Sequence, residues 1–138
     1  MTESDKPTVL VACRKNAGRS QAAAALLRHY AGDRLEVLSG GSEPADAVHP
    51  EVRAVLAERG LSPEDHPKRF EAAMVQAADV VVTMGCGEEC PYYPGRTYLD
   101  WEVEDPHGQN VERVREIIDD IDGRVRGLLA ELGLAASA

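Results

Sequence analysis

The sequence predicts an α/β fold: a single domain with a four-stranded parallel sheet and helices on both faces. Three observations lead there. Short apolar runs rich in β-branched residues alternate with segments of helical composition, the order that βαβ units produce. The runs are apolar throughout instead of alternating, as strands buried on both faces are. The chain has 138 residues, one domain's worth and enough to bury a single core.

The elements follow in order. Val9-Leu10-Val11-Ala12 reads as the first strand. Glycine at position 18 precedes an alanine-rich helix from Ser20 to Tyr30, a composition with high intrinsic helix propensity. Leu35–Ser39 is the second strand, closed by Gly40-Gly41. A helix runs from His49 to Arg59, with Pro50 in its first turn, Val52, Val55 and Leu56 on one face, and Gly60 as its stop. Phe70–Ala77 is a short helix, Val80–Val82 a third strand ended by Gly85, and Thr97–Leu99 a fourth. In the last helix apolar residues fall at Val111, Val114, Ile118, Ile121, Val125, Leu128 and Leu132, one continuous stripe. Such a stripe serves either a coiled coil or a core; on a single terminal helix it is expected to pack against the sheet. Residues 8–134 form the expected domain, with flexible ends at 1–7 and 135–138.

Composition narrows the function. The 24 acidic and 15 basic residues give a net charge of −9, a field that repels phosphate backbones and argues against nucleic-acid binding. No apolar run approaches the roughly 18 residues of a membrane span. The opening residues lack a basic region followed by an apolar stretch, so the expected location is the cytoplasm. The three cysteines, Cys13, Cys86 and Cys90, are an odd number, which points to thiol chemistry instead of a disulfide scaffold. Twelve arginines against three lysines fit a GC-rich genome of the actinobacterial kind.

Ligands in such folds bind beyond the carboxyl ends of the strands, where Cys13-Arg14-Lys15-Asn16-Ala17-Gly18-Arg19-Ser20 joins the first strand to the first helix. A short loop closing on a helix N-terminus can turn successive backbone N–H groups inward as an anion-binding nest. The donors and the helix dipole favour a thiolate at its base, on Cys13. Arg19 can clamp two oxygens of a tetrahedral oxyanion. Ser20 is near enough in sequence to donate to the sulfur, and Asn16 can hold the loop's shape through its amide. The loop from Arg14 to Ser20 is thus the candidate oxyanion site and Cys13 the candidate nucleophile.

This loop resembles the phosphate-binding loop of the low-molecular-weight tyrosine phosphatase superfamily. The rest of the chain resembles its thioredoxin-coupled arsenate reductase branch. Val81–Pro91, with Cys86 and Cys90, is similar to the strand leading into the branch's redox cysteines, and Asp100–Pro106 to its tryptophan and acid–proline loop. The resemblance implies that Cys13 attacks arsenate, Cys86 then attacks Cys13 and Cys90 attacks Cys86, leaving a Cys86–Cys90 disulfide for a partner to reduce. It assigns proton delivery to Asp105, with Glu104 as local rival. It implies electrons from reduced thioredoxin, no tightly bound cofactor and no metal. Relatives with a potassium ion use a glutamate on the first helix, where this chain has Ala24, so no cation is carried over. A zinc site at the cysteine pair lacks a second ligand pair, with only His107 nearby. His29, His49 and His66 form no recognisable constellation, and Trp101 is assigned to packing.

Three other functions compete. A tyrosine phosphatase would use Cys13, Arg19 and Asp105 but neither Cys86 nor Cys90. Family phosphatases often carry a second cysteine where this loop has Gly18 and a tyrosine where it has His107. A reductase fed by mycothiol and mycoredoxin would leave the cysteine pair unexplained. A module that binds oxyanions or senses oxidation without turnover would share the nest.

Overall fold

The computed structural model describes residues 6–63, 66–69, 71–84 and 97–134. Its sheet has four parallel strands: β1 (Thr8–Cys13), β2 (Glu36–Gly41), β3 (Val80–Met84) and β4 (Thr97–Asp100), in the spatial order β2-β1-β3-β4. The chain moves from β1 to β2 on one side and then to β3 on the other. The direction of winding therefore reverses at β1, and the carboxyl end of β1 is where such sheets open a ligand crevice. Cys13 is the last residue of β1, in register with Gly41 of β2 and Met84 of β3.

Alternate residues of β1 face opposite layers, as the pleat requires. Val9, Val11 and Cys13 enter the large core formed with α1 (Arg19–Ala31), α2 (Pro50–Glu58) and α4 (Val111–Glu131). Leu10 faces the other way, into a small cluster with Val81, Val75 and Ala78 under α3 (Ala72–Ala77). Helices therefore cover both faces, unequally.

The terminal stripe is buried as a core helix. Ile117 and Leu129 join Val114, Ile118, Ile121, Val125 and Leu128, which widens the stripe beyond a coiled-coil seam. The stripe shares one core with Val9, Val11, Val80 and Val82 of the sheet and with residues of α1 and α2. Each fully buried side chain such as Ile118 or Leu129 contributes about 1.5–3 kcal/mol. Asn110 caps α4, its side chain accepting from the Arg113 N–H at 2.8 Å, worth about 1 kcal/mol.

Most element boundaries move by one or two residues from those read in the sequence. One difference is substantive: Gly40-Gly41 does not close β2 but completes it. The short helix begins at Ala72, because Glu71 is extended at φ −122° and ψ 158°. Cys86 and Cys90 lie outside the described residues, as do Phe70, Gly85, residues 1–5 of the expected flexible end at 1–7, and the expected flexible end at 135–138.

Candidate active site

The loop between β1 and α1 is shaped from outside. The carbonyls of Cys13, Arg14, Lys15 and Ala17 accept from the N–H groups of Ser42, Glu43, Ala45 and His49, at 3.3, 2.7, 3.0 and 2.9 Å. All four donors lie on the connection from β2 to α2. In a trans peptide the N–H points opposite to the C=O. The N–H groups of Arg14, Lys15, Asn16 and Gly18 are therefore turned to the inside of the loop, the arrangement of an anion nest. At the start of α1 no side chain among the described residues caps the helix and the first turn holds no acidic residue, an N-terminus suited to an anion.

Gly41 sits where this outer wall is tightest. A Cβ there would lie 2.6 Å from the Arg14 carbonyl oxygen and 2.9 Å from the Asn16 nitrogen. Only glycine lets β2 approach the loop so closely. In the sequence Gly40-Gly41 reads as the close of the second strand; at Gly41 the glycine serves this contact.

Inside the loop the polar side chains form a directed chain. Asn16 adopts a left-handed backbone, φ 51°, which asparagine tolerates better than most residues. Its Oδ1 accepts from the Lys68 N–H at 2.9 Å and from Gln21 Nε2 at 3.3 Å. That fixes the amide's orientation and leaves Nδ2 to donate to Ser20 Oγ at 2.7 Å. The same Ser20 Oγ lies 2.9 Å from Cys13 Sγ, and its hydroxyl is the donor whenever the sulfur is ionised. Cys13, Asn16, Ser20 and Gln21 are all buried, so this chain works where hydrogen bonds are strongest. Gln21 and the backbone of Lys68 carried no recognisable signal in the sequence.

Arg19 is the cation of the site. Its side chain is 13% exposed, and Nη1 donates to the Val103 carbonyl at 3.3 Å while Nη2 lies 3.7 Å from Asp105 Oδ2. A groove of about 400 Å³ runs beside it, lined by Arg19, Asp100, Trp101, Glu102, Val103 and Glu104. Asp105 faces this guanidinium. Glu104 is engaged elsewhere: Arg113 Nε donates to both its oxygens at 3.0 Å and holds its carboxyl below the usual range. Trp101 is buried in the large core and also lines this groove. Arg14 and Lys15 are exposed on the rim, near Glu43 at 3.8 and 3.6 Å.

The structure also joins two histidines the sequence left unconnected. The rings of His49 and His107 lie 4.8 Å apart between centroids. Burial pushes the His49 imidazole below its ordinary value, and the neighbouring His107 adds to the effect.

A buried thiol at the end of a parallel strand, ringed by inward N–H groups with an arginine and a carboxyl opposite, is an arrangement able to attack a tetrahedral oxyanion and hold its charge. The sequence matches the low molecular weight phosphotyrosine protein phosphatase family over residues 8–137, and the chain belongs to that family. It is 40% identical over 125 residues to a Halobacterium salinarum protein provisionally named an arsenate reductase, covering 86% of this chain and 88% of that one. It is 30% identical over 131 residues to the glutaredoxin arsenate reductase of Synechocystis, covering 90% and 97%. Among solved structures, the thioredoxin-dependent arsenate reductase of Corynebacterium glutamicum superposes with a TM-score of 0.83 at 48% identity. That match covers 94% of this chain, which spans 63% of the Corynebacterium chain.

Proposed function

We propose that this protein reduces arsenate to arsenite. The observation that carries the reading is the Cys13 sulfur held 2.9 Å from the Ser20 hydroxyl inside the nest, in a chain whose relatives are named for arsenate reduction. Cys13 attacks arsenic: a sulfur–arsenic bond forms, an arsenic–oxygen bond breaks, and Asp105 supplies the proton with which that oxygen leaves as water. Arg19 and the inward N–H groups carry the charge on the remaining oxygens.

Cys86 then attacks the Cys13 sulfur. The new disulfide takes the place of the sulfur–arsenic bond, whose electron pair stays on arsenic and lowers it from As(V) to As(III). Cys90 attacks Cys86, frees Cys13 and leaves a Cys86–Cys90 disulfide for reduced thioredoxin to open. No tightly bound cofactor enters this scheme. The Corynebacterium relative supports thioredoxin as donor and the Synechocystis relative a glutaredoxin; mycothiol with mycoredoxin is the remaining route.

The family membership itself favours a second reading, hydrolysis of a phosphate monoester by Cys13, Arg19 and Asp105 alone. One assay separates them. Arsenate-dependent NADPH oxidation is followed with thioredoxin and its reductase, beside glutaredoxin and mycothiol–mycoredoxin systems, while p-nitrophenyl phosphate hydrolysis is followed in parallel. Cys86→Ser should stop the first and spare the second. Hydrolysis without arsenate turnover in any donor system would leave the phosphatase reading. Cys90→Ser should release one equivalent of arsenite in a single turnover and stop with a Cys13–Cys86 disulfide. A burst with Cys13 still a free thiol rejects the assigned order.

A further inference from the structure

Asp105 stands on a loop with no regular structure, more than half exposed. A proton donor there is useful only if something holds the carboxyl still, and the contacts around Gly18 supply that hold. A Cβ on Gly18 would lie 2.9 Å from Pro106 Cγ and 3.1 Å from His49 Cδ2. The Asp105–Pro106 loop and the first residues before α2 therefore press on the nest at one point. The His49 N–H donates to the Ala17 carbonyl at 2.9 Å, which fixes the base of that ring on the nest. The His107 ring packs against the His49 ring with centroids 4.8 Å apart and planes 45° apart. The His107 N–H in turn donates to Asp105 Oδ1 at 3.0 Å. With Oδ1 held by its own loop, Oδ2 is the oxygen left facing Arg19.

We infer that His107, seated on His49, is a positioning residue for the Asp105 carboxyl. This rests on the proton-donor role given to Asp105 above. The ring of His107 works by weight and shape: it anchors the peptide whose N–H orients the carboxyl. The nest itself does not depend on His107, since its carbonyls are held by Ser42, Glu43, Ala45 and the backbone of His49. Loss of the ring should therefore damage proton delivery and spare anion binding. His107 is exposed and His49 half-buried, so variants at both positions are expected to fold.

The experiment compares full-length wild type with His107→Ala, His107→Phe and His49→Ala. It measures kcat and KM for arsenate, affinity for inorganic phosphate by calorimetry, and hydrogen exchange of the His107 amide by NMR. His107→Ala should lower kcat by about tenfold, part of the hundredfold or more that a placed acid supplies. Phosphate affinity should change by less than about twofold, because the transition-state contact is lost and the ground-state contacts are kept. His107→Phe keeps a flat ring against His49 and should recover kcat to within about threefold. His49→Ala removes the seat and should match His107→Ala.

Wild-type kcat in His107→Ala overturns the inference. So does a loss of phosphate affinity as large as the loss of kcat, which would mean a general loosening of the nest. The amide readout is independent of the reaction. His107→Phe should keep the wild-type protection of this amide and His49→Ala should remove it, whatever the substrate proves to be. Unchanged protection in His49→Ala overturns the inference. Absence of arsenate turnover in the wild type overturns only the proposed reaction.

Discussion

The Ser20 hydroxyl lies 2.9 Å from the Cys13 sulfur while its oxygen accepts from Asn16 at 2.7 Å, and toward an ionised sulfur, which has no proton to give, it is the donor. The direction of this bond matters more than its length. A donated proton stabilises a thiolate, whereas an accepted one would stabilise the thiol. Ser20→Ala should therefore slow the alkylation of Cys13 by iodoacetamide, with the fold unchanged. An alkylation profile that superposes on wild type would show that the hydroxyl does not act on the sulfur.

Arg19→Lys keeps the charge but cannot make the two-point contact of a planar guanidinium. It should lower kcat/KM by about a hundredfold or more, the scale of losing one oxyanion donor. An ammonium at position 19 that sustains wild-type efficiency would mean the oxyanion is held by the backbone alone.

Gly41→Ala places a methyl group 2.6 Å from the Arg14 carbonyl oxygen. Backbone must move on one side or the other, and overpacking of this kind costs about 1–3 kcal/mol. Phosphate affinity should fall together with thermal stability, since both depend on the same wall. A destabilised variant with unchanged affinity would separate the wall from the nest.

Ser42→Ala tests the opposite situation. Ser42 Oγ is buried and has no hydrogen-bond partner among the described residues. Removing an unsatisfied hydroxyl should leave stability unchanged or raise it by up to about 1 kcal/mol. A loss of that size in urea unfolding would show that the hydroxyl is bonded in solution.

His49 gives the protein an acid-sensitive contact. Burial and His107 push its imidazole below the ordinary 6.5, against the pull of Asp105 and Glu51, with Arg19 adding to the depression. The unfolded chain then takes up the proton before the folded one does. Stability contributed by the neutral ring is full above about pH 6.5 and is lost as pH falls through that value. His49→Gln should flatten the fall in Tm between pH 7.5 and 5.5. A slope equal to wild type would place the acid sensitivity elsewhere.

What the sequence made readable depended on how local the signal was. The strand ending in Cys13, the loop and the helix behind it lie within one short stretch, and spacing alone defines them. The terminal stripe is equally plain, and it is buried in the core it predicts. The second half of the site was not readable, because its signals are split across the chain. Gly41 reads as a turn glycine until β1 is seen beside it. His49 and His107 are single histidines until the topology stacks them. Lys68 contributes a backbone N–H, which no side-chain pattern can reveal.

The dependence of the nest on Ser42, Glu43, Ala45 and His49 has a consequence for biogenesis. Cys13 to Ser20 emerge from the ribosome first, yet their carbonyls have no partners until the β2–α2 connection follows. The nascent amino-terminal piece therefore carries every residue of the anion loop without the loop. Its thiol is then an ordinary flexible cysteine, and the loop takes its shape only once the segment through His49 has also emerged to bond its carbonyls.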